Sequence, residues 1–236
     1  AEEFYASQKL ADDEEPVMYG MNSRLVKKDG VVQEEVWKIG GMYSAALEKI
    51  VYWLEKAMDV AENDTQKEVI RLLIEFYHTS DLKTFDRYSI QWLKDTSSLV
   101  DFVNGFIESY GDPLGMKASW ESIVNFKDLE ATRRTETISE TAQWFEDHSP
   151  VDARFKKEQV KGVSAKVITA AMLAGDLYPA SAIGINLPNS NWIRSVHGSK
   201  SVTIGNLTEA YNKAAHGNGF REEFVYGPEE LRLLET

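Results

Sequence analysis

The feature that most limits how this chain can fold is a change of hydrophobic period partway along it. Leu47, Ile50, Val51, Leu54, Ala57, Met58 and Ala61 recur at three-and-four spacing. Side chains so spaced share one face of an α-helix, so the run predicts an amphipathic helix over about Met42–Ala61. Asn63-Asp64 caps a second helix, with Val69, Leu72, Leu73, Phe76 and Tyr77 on one face. Ser80-Asp81 caps a third, through Phe85 to about Lys94, and Ser97-Ser98 starts a short fourth carrying Leu99, Phe102 and Val103. Short links make such helices antiparallel neighbours, so Met42–Asn104 is expected to be a helical layer. Tyr43, Tyr52, Trp53 and Trp92 fall at helical spacing and are read as core.

The period then changes. Phe106–Phe126 reads FIESYGDPLGMKASWESIVNF. Trp120, Glu121, Ile123, Val124 and Phe126 form a β-branched and aromatic run after a Gly-Asp-Pro turn, which is strand–turn–strand chemistry. Proline fixes φ near −65°, and the Asp112 side chain can bond the backbone that follows. If the strands pair, Glu108 and Glu121 approach each other beside Tyr110, and a negative pocket with a phenol at its side can hold an ammonium group. The alternative is a pair of solvated edge-strand glutamates and a packing tyrosine.

Elsewhere the signals are simpler. Phe4, Tyr5 and Leu10 give Ala1–Glu15 a short helix face, ended by Pro16. Val17–Lys27 and Val31–Ile39 flank Lys28-Asp29-Gly30, a type I′ hairpin signal. Leu129–His148 is expected to be helical, with Pro150 ending it, and the basic stretch Val151–Lys161 to be a solvated face. Ser164–Asp176 reads as a buried helix ending near Gly175. Ala182–Leu187 is expected to be a buried strand. Asn186 and Asn189 bracket Pro188 there, displaying amides at a bend that suit an extended peptide backbone. Read from the residues alone, Asn189 is assigned first as the cap of a helix over Ser190–Val196. Ser201–Ile204 is a short strand, a helix runs from Gly205-Asn206 to about Ala215, Gly217-Asn218-Gly219 is a turn, and Pro228 opens a last helix over Glu229–Glu235.

Composition narrows the chemistry. Net charge is −12, from 38 acids against 26 bases, which argues against a nucleic-acid partner because phosphate binding needs clustered Lys and Arg. There is no cysteine, so disulfides and thiolate zinc ligands are excluded. No apolar run is long enough to cross a membrane. A soluble protein is expected, with the cytoplasm the favoured location. His78, His148, His197 and His216 stand far apart and are assigned structural or solvent roles. No histidine pair at metal-binding spacing, nucleophile elbow, phosphate loop or dinucleotide fingerprint is present.

Three blocks carry a resemblance. ESYGDPLGMKASWESIV at Glu108–Val124, GINLPN at Gly184–Asn189 and SVTIGN at Ser201–Asn206 together resemble the dipeptidyl peptidase III family of zinc exopeptidases. The resemblance covers at least Gly105 to the C-terminus. It implies an enzyme of two lobes that removes dipeptides from the N-termini of peptides. It further implies that Glu108 and Glu121 hold the substrate's ammonium group. Tyr110 would donate a hydrogen bond to the scissile carbonyl, and Asn186 and Asn189 would bond the substrate backbone. The family's zinc motif, H-E-x-x-G-H, is not in this sequence. The chain is therefore expected to be one α+β fragment, cut ahead of the metal site. Its helical part runs over about 42–104 and its strand-containing, substrate-binding part over about 105–236.

The fold class expected is α+β, a helical layer packed with a small antiparallel or mixed sheet or partial barrel. The function expected is peptide binding for a zinc-dependent dipeptidyl peptidase. This chain is expected to hold no metal and to be inactive by itself. Its expected partners are a peptide with a free N-terminus and the zinc-bearing remainder of the same polypeptide, with no nucleic acid and no membrane. The rivals are a non-catalytic peptide-binding or scaffold protein and, ranked lower, a glycosidase using Glu108 and Glu121 as its acid pair.

Overall fold

The computed structural model describes residues 1–9, 12–160, 163–214 and Gly227, with 163–165 described by backbone alone. After α1 (Glu2–Ala6) comes a hairpin of β1 (Ser23–Lys28) and β2 (Val31–Val36). Asp29 and Gly30 both have positive φ, 51° and 84°, as a type I′ turn requires. Three helices follow, α2 (Ser44–Asp59), α3 (Asp64–Thr79) and α4 (Leu82–Lys94). Capping sets their starts: Asn63 accepts from the Gln66 N–H at 2.9 Å, and Asp81 from the Thr84 N–H at 2.8 Å. Leu47, Val51, Val69, Leu72, Leu73 and Phe76 form their buried stripe.

The helices pack on a five-stranded mixed sheet of β3 (Val100–Glu108), β4 (Ser119–Lys127), β5 (Val163–Gly175), β6 (Gly184–Leu187) and β7 (Ser199–Ile204). Its order is β3-β4-β5-β7-β6, antiparallel except for the parallel β5–β7 pair. Helices α5 (Leu129–Glu140) and α6 (Ala142–His148) lie between β4 and β5, α7 (Asn191–His197) between β6 and β7, and α8 (Gly205–Ala214) after β7. The class is α+β, and the sheet does not close into a barrel. It does curl. Irregularities at Phe106/Glu108 and Val124/Asn125 bend β3 and β4.

One interaction crosses the concave face. Lys200 on β7 is 1% exposed, and its ammonium lies 3.1 Å from Asp101 Oδ2 on β3, three strands away. Trp92 of α4 roofs the pair. Its ring lies 4.1 Å from Lys200 Nζ, and its indole N–H donates to Asp101 Oδ1 at 2.9 Å. A second link joins α3 to the sheet. Trp120 Nε1 donates to the Tyr77 hydroxyl at 2.9 Å, and that hydroxyl donates to Asn104 Oδ1.

Several segments differ from the sequence expectation. The short helix expected from Ser97-Ser98 is instead a turn and the start of β3. Ser98 donates its hydroxyl and N–H to Asp95, so the pair closes a turn rather than opening a helix. Ser164–Asp176, expected to be a buried helix, is the strand β5, paired to β4 on one side and β7 on the other. Its alanines favour helix in isolation, and pairing on both edges overrides that preference. The strand expected over Ala182–Leu187 is four residues, an edge strand in which only Leu187 is buried. Leu129–His148 is helical but divided at Thr141. Trp92 is core, whereas Tyr43, Tyr52 and Trp53 are exposed, because the apolar stripe of α2 is already filled by Leu47, Val51 and Leu54. Leu10, the Gly217-Asn218-Gly219 turn and the helix expected over Glu229–Glu235 lie outside the described residues.

Breaking a buried ion pair strands a charge, at about 3–5 kcal/mol. Lys200→Met is therefore expected to destabilise the chain by about that much in urea unfolding, and adding Asp101→Asn to restore part of it.

Candidate functional site

The site begins in the turn between β3 and β4. Gly115 N–H donates to Asp112 O at 2.9 Å, and Asp112 Oδ2 accepts from the Met116 and Lys117 N–H groups at 2.9 and 3.0 Å. Those bonds hold the Asp112 carboxyl below the usual carboxylate range. Gly115 sits at φ +62°, where a side chain would be strained.

The β3 irregularity then sets the faces. Gly105 pairs with Glu121, and Glu108 pairs with Ser119. Residues 119 and 121 share one face of β4, because strand side chains alternate. The extra residue between Phe106 and Glu108 thus turns Glu108 onto the face that Glu121 occupies. In regular register Ile107 would stand there.

A third carboxylate joins them. Gly175 ends β5 opposite Glu121, at φ +64°, and a Cβ there would lie 2.2 Å from Trp120 O. This close approach lets the Asp176 N–H donate to Trp120 O at 3.0 Å, which seats Asp176 beside the glutamates. Sequence reasoning missed Asp176 because β5 was read as a helix. The signal available was the Gly-Asp pair closing an apolar run.

All five residues singled out in the sequence border one cavity of about 340 Å³. Glu108, Tyr110 and Glu121 stand on the β3–β4 side, Asn186 and Asn189 on the β6 side, and Asp176 between. Asn189 does not cap α7; that position falls to Ser190, and no side-chain bond closes the helix start. The Asn189 amide is thereby left to the cavity. Glu121 is only 3% exposed, so the alternative of solvated glutamates does not hold for it. Its carboxyl is pushed up from 4.5 to about 7, by burial first and then by the charges of Glu108 and Asp176. Tyr110 is exposed, and its phenol is raised above the usual range by the Glu108 charge, by its hydrogen bond to Glu108, and by Glu121. It therefore stays a protonated donor at neutral pH. Among the described residues no lysine or arginine borders the cavity. The arrangement can hold a cation at its acidic side while offering a phenol and two amides to polar atoms further along the ligand.

Among the described residues no group of three or more His, Asp and Glu is arranged to hold a metal ion, and no helix is long and apolar enough to cross a membrane. The described residues thus do not fit the zinc that the resemblance implies.

The curled mixed sheet under a helical layer matches part of the fold of solved dipeptidyl peptidases III. The solved structure of DPP III from Caldithrix abyssi superposes with a TM-score of 0.75 at 22% identity, over 90% of this chain and 40% of that one. Dipeptidyl-peptidase III from Corallococcus sp. strain EGB gives 0.73 at 20% identity, over 89% and 38%. At such identities the likeness concerns the fold. In sequence, residues 11–225 match the model of peptidase family M49, and the chain belongs to that family. Dipeptidyl peptidase 3 of Rattus norvegicus is 30% identical over 184 residues, 78% of this chain and 24% of the rat protein. The Homo sapiens protein is also 30% identical over 184 residues, 25% of its length. The chain thus spans about a quarter of these curated relatives.

Glu121 has a definite consequence for stability. Because its folded pKa lies above the unfolded value, its contribution is fully present below pH 4.5 and is lost as pH rises through about 7. Glu121→Gln is therefore expected to raise stability at about pH 8 by about 1–3 kcal/mol, with the gain vanishing at about pH 4. Urea unfolding at the two pH values checks this.

Proposed function

We propose that this chain is the peptide-binding α+β portion of a two-lobed, dipeptidyl peptidase III-like zinc peptidase that releases N-terminal dipeptides. The observation that supports it best is the joining of three carboxylates, a phenol and two amides around one cavity. The ammonium of a free N-terminus sits between Glu108 and Glu121, with Asp176 adding to the field. An ammonium relieves repulsion among the acids, so it is favoured over a neutral or acylated terminus. Fixing the amine fixes the distance to the bond that is cut, two residues in. The Tyr110 phenol donates to the carbonyl of that bond, where negative charge develops. Asn186 and Asn189 bond the backbone between, along β6, whose outer edge has no strand partner among the described residues. The metal belongs, in this reading, to the remainder of the polypeptide, and the chain alone binds peptide without cutting it.

Calorimetry with a tetrapeptide tests the binding. A free-amine peptide is expected to bind and its N-acetylated form to bind about 10- to 100-fold more weakly, as for losing one or two charged hydrogen bonds. Glu108→Gln and Glu121→Gln should each narrow that difference. Affinity for the free amine should rise between about pH 6 and pH 8 as Glu121 ionises. Equal affinity for the two peptides would overturn the assignment.

The activity is tested on a longer polypeptide that continues past Thr236. Chelator-sensitive release of dipeptide from dipeptidyl arylamides by that protein, and none by the present chain, is the expected result. No hydrolysis by the folded, zinc-supplied longer protein would favour the non-catalytic peptide-binding reading.

A further inference from the structure

A second, smaller cavity adjoins the site. It has a volume of about 40 Å³ and sits between α4, β3 and the segment after β6. That is room for about three waters, at 10–15 Å³ each. Its walls are mostly apolar, with Met21, Phe85, Val103, Ile107 and Leu187 among them. One ionisable carboxyl intrudes. Asp86 of α4 is 7% exposed, and its Oδ2 has no hydrogen-bond partner among the described residues. A buried carboxyl oxygen without a partner is costly, and native proteins retain such groups chiefly where they bond water or serve a function. The hydroxyl-bearing Ser89 and Ser190 border the same cavity.

Asn189 joins the two spaces. It borders this cavity and also the larger one that holds Glu108, Tyr110 and Glu121. Its position between them follows from the bend after β6 and from Ser190, rather than Asn189, standing at the start of α7. A side-chain amide has two donor hydrogens and one acceptor oxygen, so it can face both sides at once.

We propose that Asp86 is a positioning residue for Asn189, acting through ordered water in this mostly apolar cavity and setting which of the amide's hydrogens is free for peptide. This rests on the peptide-binding reading above. As a neutral acid, Asp86 donates into the cavity and leaves the Asn189 N–H groups for a peptide carbonyl. As a carboxylate it only accepts, and it competes for those N–H groups. The surroundings favour the neutral acid. Burial pushes Asp86 up to about 7, Lys83 acts against the shift, and Glu15, Asp81 and Asp13 act with it. Tyr88, also of α4, is held protonated by burial. β3 faces the cavity with Val103 and Ile107, and Leu187–Ser190 brings no titratable group.

The test is the side-chain amide signal of Asn189 in nitrogen-15 NMR spectra, assigned by its loss in Asn189→Ala. It is followed between about pH 5 and pH 9 in Glu121→Gln, which removes the other nearby titration. The signal is expected to shift with a midpoint at about 7, and adding Asp86→Asn is expected to flatten it. A signal that does not titrate, or that titrates equally without Asp86, overturns the proposal. This readout needs no bound peptide, so it stands apart from the binding test above.

Peptide affinity gives the second arm. Asp86→Asn keeps the hydrogen-bonding shape and should bind within about twofold of the wild type at pH 6, and more tightly at pH 8.5. Asp86→Leu should bind about three- to tenfold more weakly than the wild type at pH 6, the loss expected for one hydrogen bond, with the loss shrinking at pH 8.5. Equal affinity of the two variants and the wild type at both pH values, in a chain that does bind peptide, counts against the proposal. A wild-type chain that binds no peptide overturns the peptide-binding reading instead.

Discussion

A buried lysine must meet an anion or lose its charge, and in this fold Lys200 meets Asp101 across three intervening strand pairings. The sheet of described strands is open, so hydrogen bonds link β3 to β7 only the long way round, through β4 and β5. The ion pair bridges that gap from inside, beneath the Trp92 ring. It fixes how far the β3–β4 arm stands from the β7–β6 arm at one end of the curl. The same two arms carry the two halves of the candidate site, the acids further along β3–β4 from Asp101 and Asn186 close to Lys200, opposite Ser201. Glu108 and Glu121 stand on the first, Asn186 and Asn189 on the second. The spacing of acids from amides is thus inherited from a contact that touches neither.

The site itself works against the fold. Three carboxylates border one cavity, and one of them is almost wholly removed from water. Desolvation first, and then repulsion from Glu108 and Asp176, raises the Glu121 carboxyl to about 7. Such an arrangement persists because the interior elsewhere is well filled. Phe76, Tyr77, Ile123 and Ile204 have no exposure at all, and the Tyr77 hydroxyl network locks α3 to the sheet. A binding cavity for cations is more useful unsatisfied than neutralised, because the incoming ammonium then supplies the missing charge.

Much of the local structure was legible. The helices α2, α3 and α4, their caps at Asn63 and Asp81, the hairpin at Asp29-Gly30 and the turn at Asp112 follow from spacing and from side-chain-to-backbone bonds a few residues long. The chemical character of Glu108, Tyr110 and Glu121 was legible for the same reason, since a turn of known type brings its flanking strands together. The misreadings fall where partners are distant in sequence. β5 looks helical by its alanines and is a strand because β4 and β7 flank it. Ser98 looks like a cap and is a donor to Asp95.

The sequence by itself determined the periods, the turns and the residue types around which a cation and a peptide backbone can be held, because these depend on interactions within a few residues. Tertiary structure alone decided that Glu108 faces Glu121 through an irregular pairing, that Asp176 joins them, and that Asn186 and Asn189 border the same space. Strand alternation is broken by one extra residue, and no local pattern announces which residue is extra. That choice is made by the packing of the whole sheet, where a slip by one residue would exchange the buried and exposed faces of β3.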